Sequence, residues 1–494
     1  MKPSLTPRPF LLAIAAILLL STLLFSFTTK RVARIPAPQP PVEILQADDD
    51  YYKIPDNVAY AGQQMVNKAG HLTLATELGQ NYYLPNDTAN NTGFLYAEVK
   101  ADNYTPPGKQ RLPLNICLVI DRSGSMSGAK LDNVKKAAKF LVDKLNDKDM
   151  LSIVVYESTV GVLQKPVAVS DKASLNEIID NIVTAGGTNL GGGMMEGYNQ
   201  VKSSYKSGYV NRVLLLSDGL ANEGVTDLTV LQSTAKKWFN QESISISTFG
   251  VGNDYNENLM TTLAENGGGS YYYIKEPGQI AAIFEKEING LLSVVAQQTK
   301  LTFKLPAGIA IMRVYGGNYE MDKGNLIINV KDVFANETKG ILVKFKIKPG
   351  TTAELPFATR LDFEDATDNN KPSAVENLNI LKPITDKAVF LKNFSERVMQ
   401  QCTMFESNDL LEKTMKAVDD RQYDKARQLG SYGQTYSWEN GQKFAKTAET
   451  VRQDSVIVLY NAKLKDIEKK QEYERKEIQK GGKSDNYLLR SKKF

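Results

Sequence analysis

Residues 116–128, ICLVIDRSGSMSG, run from an apolar segment into a short series of oxygen-bearing side chains. Five apolar residues precede Asp121, and Ser123 and Ser125 follow at every second position. A short apolar run of this kind indicates a buried strand, and residues 130–145 then carry apolar side chains at helical spacing. Because alternate residues of an extended segment share a face, we expect Asp121, Ser123 and Ser125 to point toward one place.

The alternation of strand and amphipathic helix continues over residues 114–292. It predicts an α/β domain with a doubly wound, mostly parallel, Rossmann-like sheet that is covered by helices on both faces. Such sheets bind ligands beyond the carboxyl ends of their strands. Thr188 in AGGTNLGGG and Asp218 at the end of VLLLSD stand at matching loop positions.

Together these positions supply three hydroxyls and two carboxylates. Hard oxygen ligands of this kind suit Mg²⁺, with Mn²⁺ or Ca²⁺ as substitutes, better than zinc or copper. The sequence therefore predicts a metal site that is formed by Asp121, Ser123, Ser125, Thr188 and Asp218.

The segments DRSGSM, GGTNL and LLLSDG resemble the metal-ion-dependent adhesion site (MIDAS) of von Willebrand factor type A domains, over about a third of the chain. The resemblance implies that the hydroxyls of Ser123, Ser125 and Thr188 contact the ion, while Asp121 and Asp218 act directly or through water. It also implies an open position that accepts a Glu or Asp carboxylate from a protein partner. The flanking strands and the helical tail resemble, more weakly, the inter-alpha-trypsin-inhibitor heavy-chain arrangement.

Other interpretations of the same segments remain open at this point. D-x-S-x-S is also the pattern of a turn with Asx-type bonds followed by a helix cap. The glycine-rich AGGTNLGGG suggests a phosphate loop, but it lacks the G-K-[ST] ending and no G-x-G-x-x-G follows the first strand, so we expect no nucleotide. Asn253 and Asp254 either support the metal site or cap the next helix, and capping is favoured.

The α/β domain is flanked by other patterns. Period-two stretches in residues 71–113 and 293–385 predict the two parts of one β-sandwich interrupted by the α/β domain, with two separate β pieces as the alternative. Residues 386–494 read as a helical region with a basic tail, in which residues 445–480 form one long surface helix. Residues 35–70, rich in proline and then acidic, predict an extended linker.

Residues 1–34 contain a candidate membrane anchor and its flanks. Residues 10–27 carry no charge, and eighteen helical residues span about 27 Å, near the thickness of a bilayer core. We expect an uncleaved, single-pass transmembrane helix with the bulk of the chain extracytoplasmic, either periplasmic or extracellular. A cleaved secretory signal is the alternative. Basic residues flank both ends and leave the orientation open.

Charge and composition exclude several functions. Sixty Lys and Arg against 56 Asp and Glu leave a net charge of +4, which does not indicate nucleic-acid binding. Residues 463–494 hold eleven basic and six acidic residues, which predict a solvated charged tail, or else a surface for an acidic partner or a membrane. Two cysteines provide no disulfide framework, and the single histidine, His71, argues against zinc catalysis and a Ser-His triad.

These observations predict a membrane-anchored extracytoplasmic binding protein that uses a Mg²⁺-dependent adhesion site to capture an acidic residue of a protein partner. The alternative is an assembly or scaffold subunit whose metal site is structural and whose helical C-terminal region binds the partner. We expect no enzymatic activity, because no second cluster of Asp, Glu, His or Lys stands out to supply a general base.

Overall fold

The computed structural model describes residues 43–44, 51–104, 111–252 and 254–491. The predicted anchor, residues 10–27, lies outside these ranges. Within them, no helix combines the length and the apolar character that crossing a membrane requires.

The first strands lie in a region that was expected to be partly linker. They are β1 (Glu43–Ile44), β2 (Met65–Ala69), β3 (Leu72–Leu78), β4 (Tyr82–Tyr83) and β5 (Thr92–Ala101). The linker prediction is wrong for residues 51–70, because β2 pairs with β3, and Tyr51 and Ile54 are buried. The Tyr51 hydroxyl donates to Asp409 (2.6 Å), so aromatic packing against the helical region outweighs the acidic composition.

The α/β domain runs from β6 to α6. Its elements are β6 (Leu114–Asp121), α1 (Ala129–Lys144), β7 (Met150–Tyr156), β8 (Val160–Ala168), α2 (Lys172–Asp180), α3 (Leu190–Ser203), β9 (Val210–Ser217), α4 (Leu228–Glu242), β10 (Ser245–Val251), α5 (Glu257–Asn266), β11 (Gly268–Ile274) and α6 (Ile280–Leu291). The strand order is β11-β10-β9-β6-β7-β8, with only the β7–β8 pair antiparallel. The predicted doubly wound α/β fold is confirmed.

Helices cover both faces of this sheet. Apolar residues of α1, α2 and α6 pack on one face, and those of α3, α4 and α5 pack on the other. The glycines of α3 permit a close approach: a Cβ on Gly193 would lie 2.5 Å from a ring carbon of Tyr156. Part of the glycine-rich run therefore serves contact between helix and sheet, because a side chain would force the two apart.

The remaining strands build two further sheets. They are β12 (Val294–Lys304), β13 (Ile309–Tyr315), β14 (Tyr319–Asp322), β15 (Asn325–Phe334), β16 (Thr338–Ile347), β17 (Leu355–Asp365) and β18 (Lys371–Pro383). The sheet orders are β1-β13-β16-β5-β3-β2 and β14-β15-β12-β17-β18-β4, and one apolar core contains residues of both. Because β5 pairs with β16 across the inserted domain, the two β segments form one sandwich rather than separate pieces.

The C-terminal region is helical, as predicted. Its helices are α7 (Lys387–Leu391), α8 (Glu396–Asp419), α9 (Tyr423–Gly441), α10 (Ala448–Leu464) and α11 (Glu472–Ser491). The expected single helix over residues 445–480 is wrong, because a 3₁₀ turn at Ile467–Lys469 separates α10 from α11. Ile467 is fully buried in the core of the helical region, and this anchors the turn that redirects the chain.

A buried carboxylate joins α8 to the sandwich. Glu406 of α8 is fully buried and accepts hydrogen bonds from the Lys344 ammonium (2.8 Å) and the Tyr436 hydroxyl (2.6 Å). It also accepts one from the backbone N–H of Tyr52 (2.7 Å). The group thus connects the sandwich, the helical region and the segment before β2 through one side chain.

The basic tail is only partly solvated: Lys465 and Lys469 are exposed, as predicted, whereas part of α11 is docked and buried, which corrects the prediction there. Lys480 of α11 is only 3% exposed and donates to Glu257 (2.8 Å) and to the Tyr255 carbonyl (2.6 Å). The N–H of Tyr271, on the edge strand β11, donates to the Tyr487 hydroxyl (3.2 Å). The charges of α11 therefore face acidic residues of the α/β domain that lie about 220 residues earlier in the chain.

This docking makes a pH-dependent contribution to stability. Burial alone would raise the pKa of Glu257, but Lys480 and Lys483 lower this pKa from 4.5 to about 2. A depressed carboxyl pKa stabilises the fold above pH 4.5, and that stability is lost as the pH falls toward 2. We expect Glu257→Gln to cost roughly 2–3 kcal/mol at neutral pH, and about 1 kcal/mol near pH 3.

The melting temperatures of the wild type and the Glu257→Gln variant, measured at pH 7 and pH 3, test this expectation. The difference in melting temperature between the wild type and the Glu257→Gln variant should be smaller at pH 3 than at pH 7. Glu285→Gln, at an exposed position of α6, is the matched control and should behave as the wild type at both values. An equal difference in melting temperature at both pH values would contradict a stabilising role for the ionised Glu257 carboxylate.

Candidate functional site

The loop after β6 carries the first part of the predicted site. Asp121 ends β6, and its Oδ1 accepts the backbone N–H of Ser123 (2.9 Å), which is an Asx-type bond that folds the loop back. The hydroxyls of Ser123 and Ser125 lie 3.1 Å apart. Ser123 makes no side-chain cap bond to the 3₁₀ turn that follows, so its hydroxyl does not have the alternative capping role.

Asp218 joins these serines from the neighbouring strand. β9 is parallel to β6, with Ile120 level with Leu216, so both strands end at the same edge. The Ser125 hydroxyl donates to Oδ1 of Asp218 (2.8 Å). Asp218 itself is fully buried, whereas Ser125 is exposed at the surface of the site.

Thr188 reaches the same point from the loop before α3. A Cβ on Gly219 would lie 3.2 Å from Thr188 Oγ1 and 3.8 Å from Ser125 Oγ, so the two hydroxyls flank this glycine. The loop is held in position by Asn222, whose Oδ1 accepts the N–H of Thr188 (3.0 Å). All five predicted residues thus converge beyond the carboxyl ends of β6 and β9.

The electrostatics of this cluster favour a cation. Burial raises the pKa of Asp121 above its ordinary value, and the charge of Asp218 raises it further, whereas hydrogen bonds from Ser123 and Ser217 lower it. Two neighbouring carboxylates stay ionised more readily when a positive charge lies between or beside them. Buried carboxylates with hydroxyl oxygens next to them are a donor set that fits a hard divalent ion.

The structure adds groups that the sequence did not single out. The Ser217 hydroxyl donates to Oδ2 of Asp121 (2.8 Å) from a fully buried position, and Lys130 Nζ donates to Oδ2 of Asp218 (2.5 Å). Ser217 is a polar residue inside the apolar run VLLLSD, and this position was a usable signal. Nothing in the local pattern distinguishes Lys130 from the other lysines of α1.

Asp254, in the segment after β10, contacts α11. Asn253 lies outside the described residues, and Asp254 Oδ1 lies 3.5 Å from Lys476 of α11. The cap of α5 is Asn256, whose side chain accepts the N–H of Leu259 (3.0 Å), so the expected capping by Asp254 is wrong by two positions.

Residues 115–286 match the family model of the von Willebrand factor type A domain, and the resemblance read from the motif is confirmed. Residues 115–286 therefore form a domain of this class. Residues of the candidate site at 121, 123, 125, 188 and 218 all lie inside the matched segment.

Particular relatives resemble larger parts of the chain. The uncharacterized protein YfbK of Escherichia coli is 34% identical over 205 residues, which are 41% of this chain and 36% of that protein. Inter-alpha-trypsin inhibitor heavy chain H3 of Mus musculus is 25% identical over 279 residues, 53% of this chain and 30% of the relative. The matched segments thus span about a third of each relative's own length.

A solved structure shares the wider fold. The von Willebrand factor type A protein from Catenulispora acidiphila superposes with a TM-score of 0.63 at 16% identity, covering 80% of this chain and 92% of the other. The coverage exceeds that of the α/β domain alone, so the likeness of fold includes part of the flanking regions.

Proposed function

We propose that the protein is a membrane-anchored, extracytoplasmic binding protein whose adhesion site holds Mg²⁺ and captures an acidic residue of a protein partner. The observation that carries the proposal is the convergence of five side chains: Ser125 contacts both Ser123 and Asp218, Thr188 lies across Gly219 from Ser125, and Asp121 accepts the Ser123 N–H. The donor set fits Mg²⁺, with Mn²⁺ or Ca²⁺ as substitutes.

The chain's own residues have separate parts in this role. The hydroxyls of Ser123, Ser125 and Thr188 would hold the ion, and the carboxylates of Asp121 and Asp218 would act on it directly or through water. A bound Mg²⁺ supplies a Lewis-acidic position for an incoming carboxylate. Because neutral hydroxyls cancel none of the ion's charge, the site keeps its attraction for an acidic side chain.

Affinity capture with the purified full-length protein tests the proposal. We expect a set of membrane or envelope proteins to be retained in Mg²⁺ and released in EDTA. Ser125→Ala should lose the same set, while Ser127→Ala, at an exposed position two residues further on, should keep it. Capture that survives both EDTA and Ser125→Ala would contradict a metal-dependent function.

A second candidate function is favoured by exposed apolar side chains on the neighbouring helices α9 and α10. Trp438 is 61% exposed, and Val451, Val458 and Leu459 are each about half exposed. In this case the helical region binds the partner and the metal site is structural. The same capture experiment distinguishes the two, because binding would then survive EDTA and be lost with Trp438→Ser and Val458→Ser.

Substitution is preferable to deletion for this test. Removing residues 386–494 would also remove Glu406 and Lys480, which are buried against the sandwich and the α/β domain. A loss of binding after such a deletion would then follow from unfolding as readily as from the loss of a docking surface.

The anchor and the absence of catalysis belong to the same proposal. Residues 10–27 are expected to resist carbonate extraction, and the body of the chain should be digested by protease added outside intact cells or spheroplasts. The proposal assigns binding and no turnover to the candidate site. Chemical conversion of a partner that disappears with Asp218→Ala would overturn that part of it.

A further inference from the structure

Lys130 forms an ion pair with a carboxylate of the candidate site. Its Nζ lies 2.5 Å from Oδ2 of Asp218, while the Ser125 hydroxyl donates to Oδ1. The Asp218 side chain is fully buried, and that of Lys130 is 26% exposed. Both oxygens of Asp218 are therefore engaged, one by a residue of the motif and one by a residue outside it.

The position of Lys130 is not explained by the stability of its own helix. It is the second residue of α1, whose first turn is the positive end of the helix dipole and disfavours a lysine. Its Nζ would lie 3.8 Å from a Cβ on Gly252, which directly follows β10. The side chain thus extends across the ends of β9 and β10 instead of into solvent.

We propose that Lys130 is a tethered cation that neutralises Asp218 and competes with the divalent ion for it. The inference rests on the proposed function, because it concerns the same metal site. Without a metal, Lys130 supplies the only positive charge that the described residues show in contact with Asp218. A divalent ion that interacts with this carboxylate has to share it with the ammonium or replace the ammonium.

Two linked consequences follow from competition. The metal-free protein gains stability from Lys130, because a buried carboxylate without a partner is costly. The metal-loaded protein gains less, because the ion already balances Asp218. Removal of the ammonium should therefore weaken the metal-free fold and strengthen metal binding at the same time, which a lysine with a merely structural role would not do.

Lys130→Met in the full-length protein tests this, since methionine keeps most of the apolar stem and removes the charge. We expect the Kd for Mg²⁺, measured by titration calorimetry, to fall by about tenfold, the effect of one charge interaction at a partly exposed site. The melting temperature should fall in EDTA, and Mg²⁺ should raise it by more than in the wild type.

Two further variants act as controls. Lys136→Met removes a charge from an exposed position of the same helix and should leave the Mg²⁺ affinity unchanged. Lys130→Arg keeps the charge and should remain close to the wild type. If the wild type takes up Mg²⁺ and Lys130→Met binds it equally well or more weakly, the competition is overturned while the proposed function stands. A wild type without Mg²⁺ uptake would overturn both.

Discussion

Replacing Asp121 by alanine is expected to abolish Mg²⁺ uptake by the full-length protein. Asp121 is fully buried, accepts the Ser123 N–H and the Ser217 hydroxyl, and so fixes the loop that presents the two serines. Without the carboxylate the loop loses its geometry and the site loses half of its negative charge. Titration calorimetry of Mg²⁺ into the variant should give no binding heat.

Ser125→Ala separates the site from the fold. The Ser125 hydroxyl is exposed and contacts Ser123 and Asp218, so its removal should lower Mg²⁺ affinity on the order of 10- to 100-fold without unfolding the domain. Ser127→Ala removes an exposed hydroxyl from the same loop and should bind as the wild type does. Equal affinity in both variants would contradict the assigned role of Ser125.

Glu406→Ala is expected to destabilise the fold more than Glu257→Gln does. It removes the buried carboxylate that accepts hydrogen bonds from the Lys344 ammonium, whose side chain is only 5% exposed, from the Tyr436 hydroxyl and from the Tyr52 N–H. Breaking a buried ion pair from one side costs about 3–5 kcal/mol. Chemical denaturation of the wild type and the variant measures the loss.

Two control variants test whether the loss of stability in Glu406→Ala comes from the buried ion pair. Glu439→Ala, at an exposed position 4.0 Å from Lys53, should leave stability unchanged. The double substitution Lys344→Met with Glu406→Leu should cost much less than Glu406→Ala alone, because it leaves no unpaired charge. A loss below about 1 kcal/mol for Glu406→Ala would show that water compensates the buried lysine.

The α/β fold and the candidate site could be predicted because their signals are local. Most strands of the α/β sheet are short apolar runs next to amphipathic helices, and Asp121, Ser123 and Ser125 lie within five consecutive residues. Thr188 and Asp218 are distant in sequence, but the parallel sheet brings all strand ends to one edge. Topology therefore determines their proximity without any knowledge of side-chain contacts.

The docking of α11 against the α/β domain could not be predicted in this way. A charged residue in an amphipathic helix reads as solvated unless its partner is known, and the partner of Lys480 is Glu257, in another domain. The same holds for residues 51–70, where burial of Tyr51 and Ile54 depends on helices that begin more than 300 residues later. Long-range pairing of this kind has no periodic signature in the sequence.

The contact between Lys130 and Asp218 could not be predicted from the sequence either. The neighbours of Lys130 on α1 include several exposed or half-buried lysines, and spacing alone gives it no distinction. Only the geometry at the ends of β9 and β10 brings its ammonium to Asp218. A charge that tunes a site from outside its motif thus becomes visible only when the fold is known.

Anomalous diffraction from crystals grown with Mn²⁺ would locate the ion directly. We expect a single strong peak at the ends of β6 and β9, within coordination distance of the hydroxyl oxygens of Ser123, Ser125 and Thr188. An empty position there in crystals that hold Mn²⁺ elsewhere, or a peak bound by none of these hydroxyls, would contradict the proposed metal site.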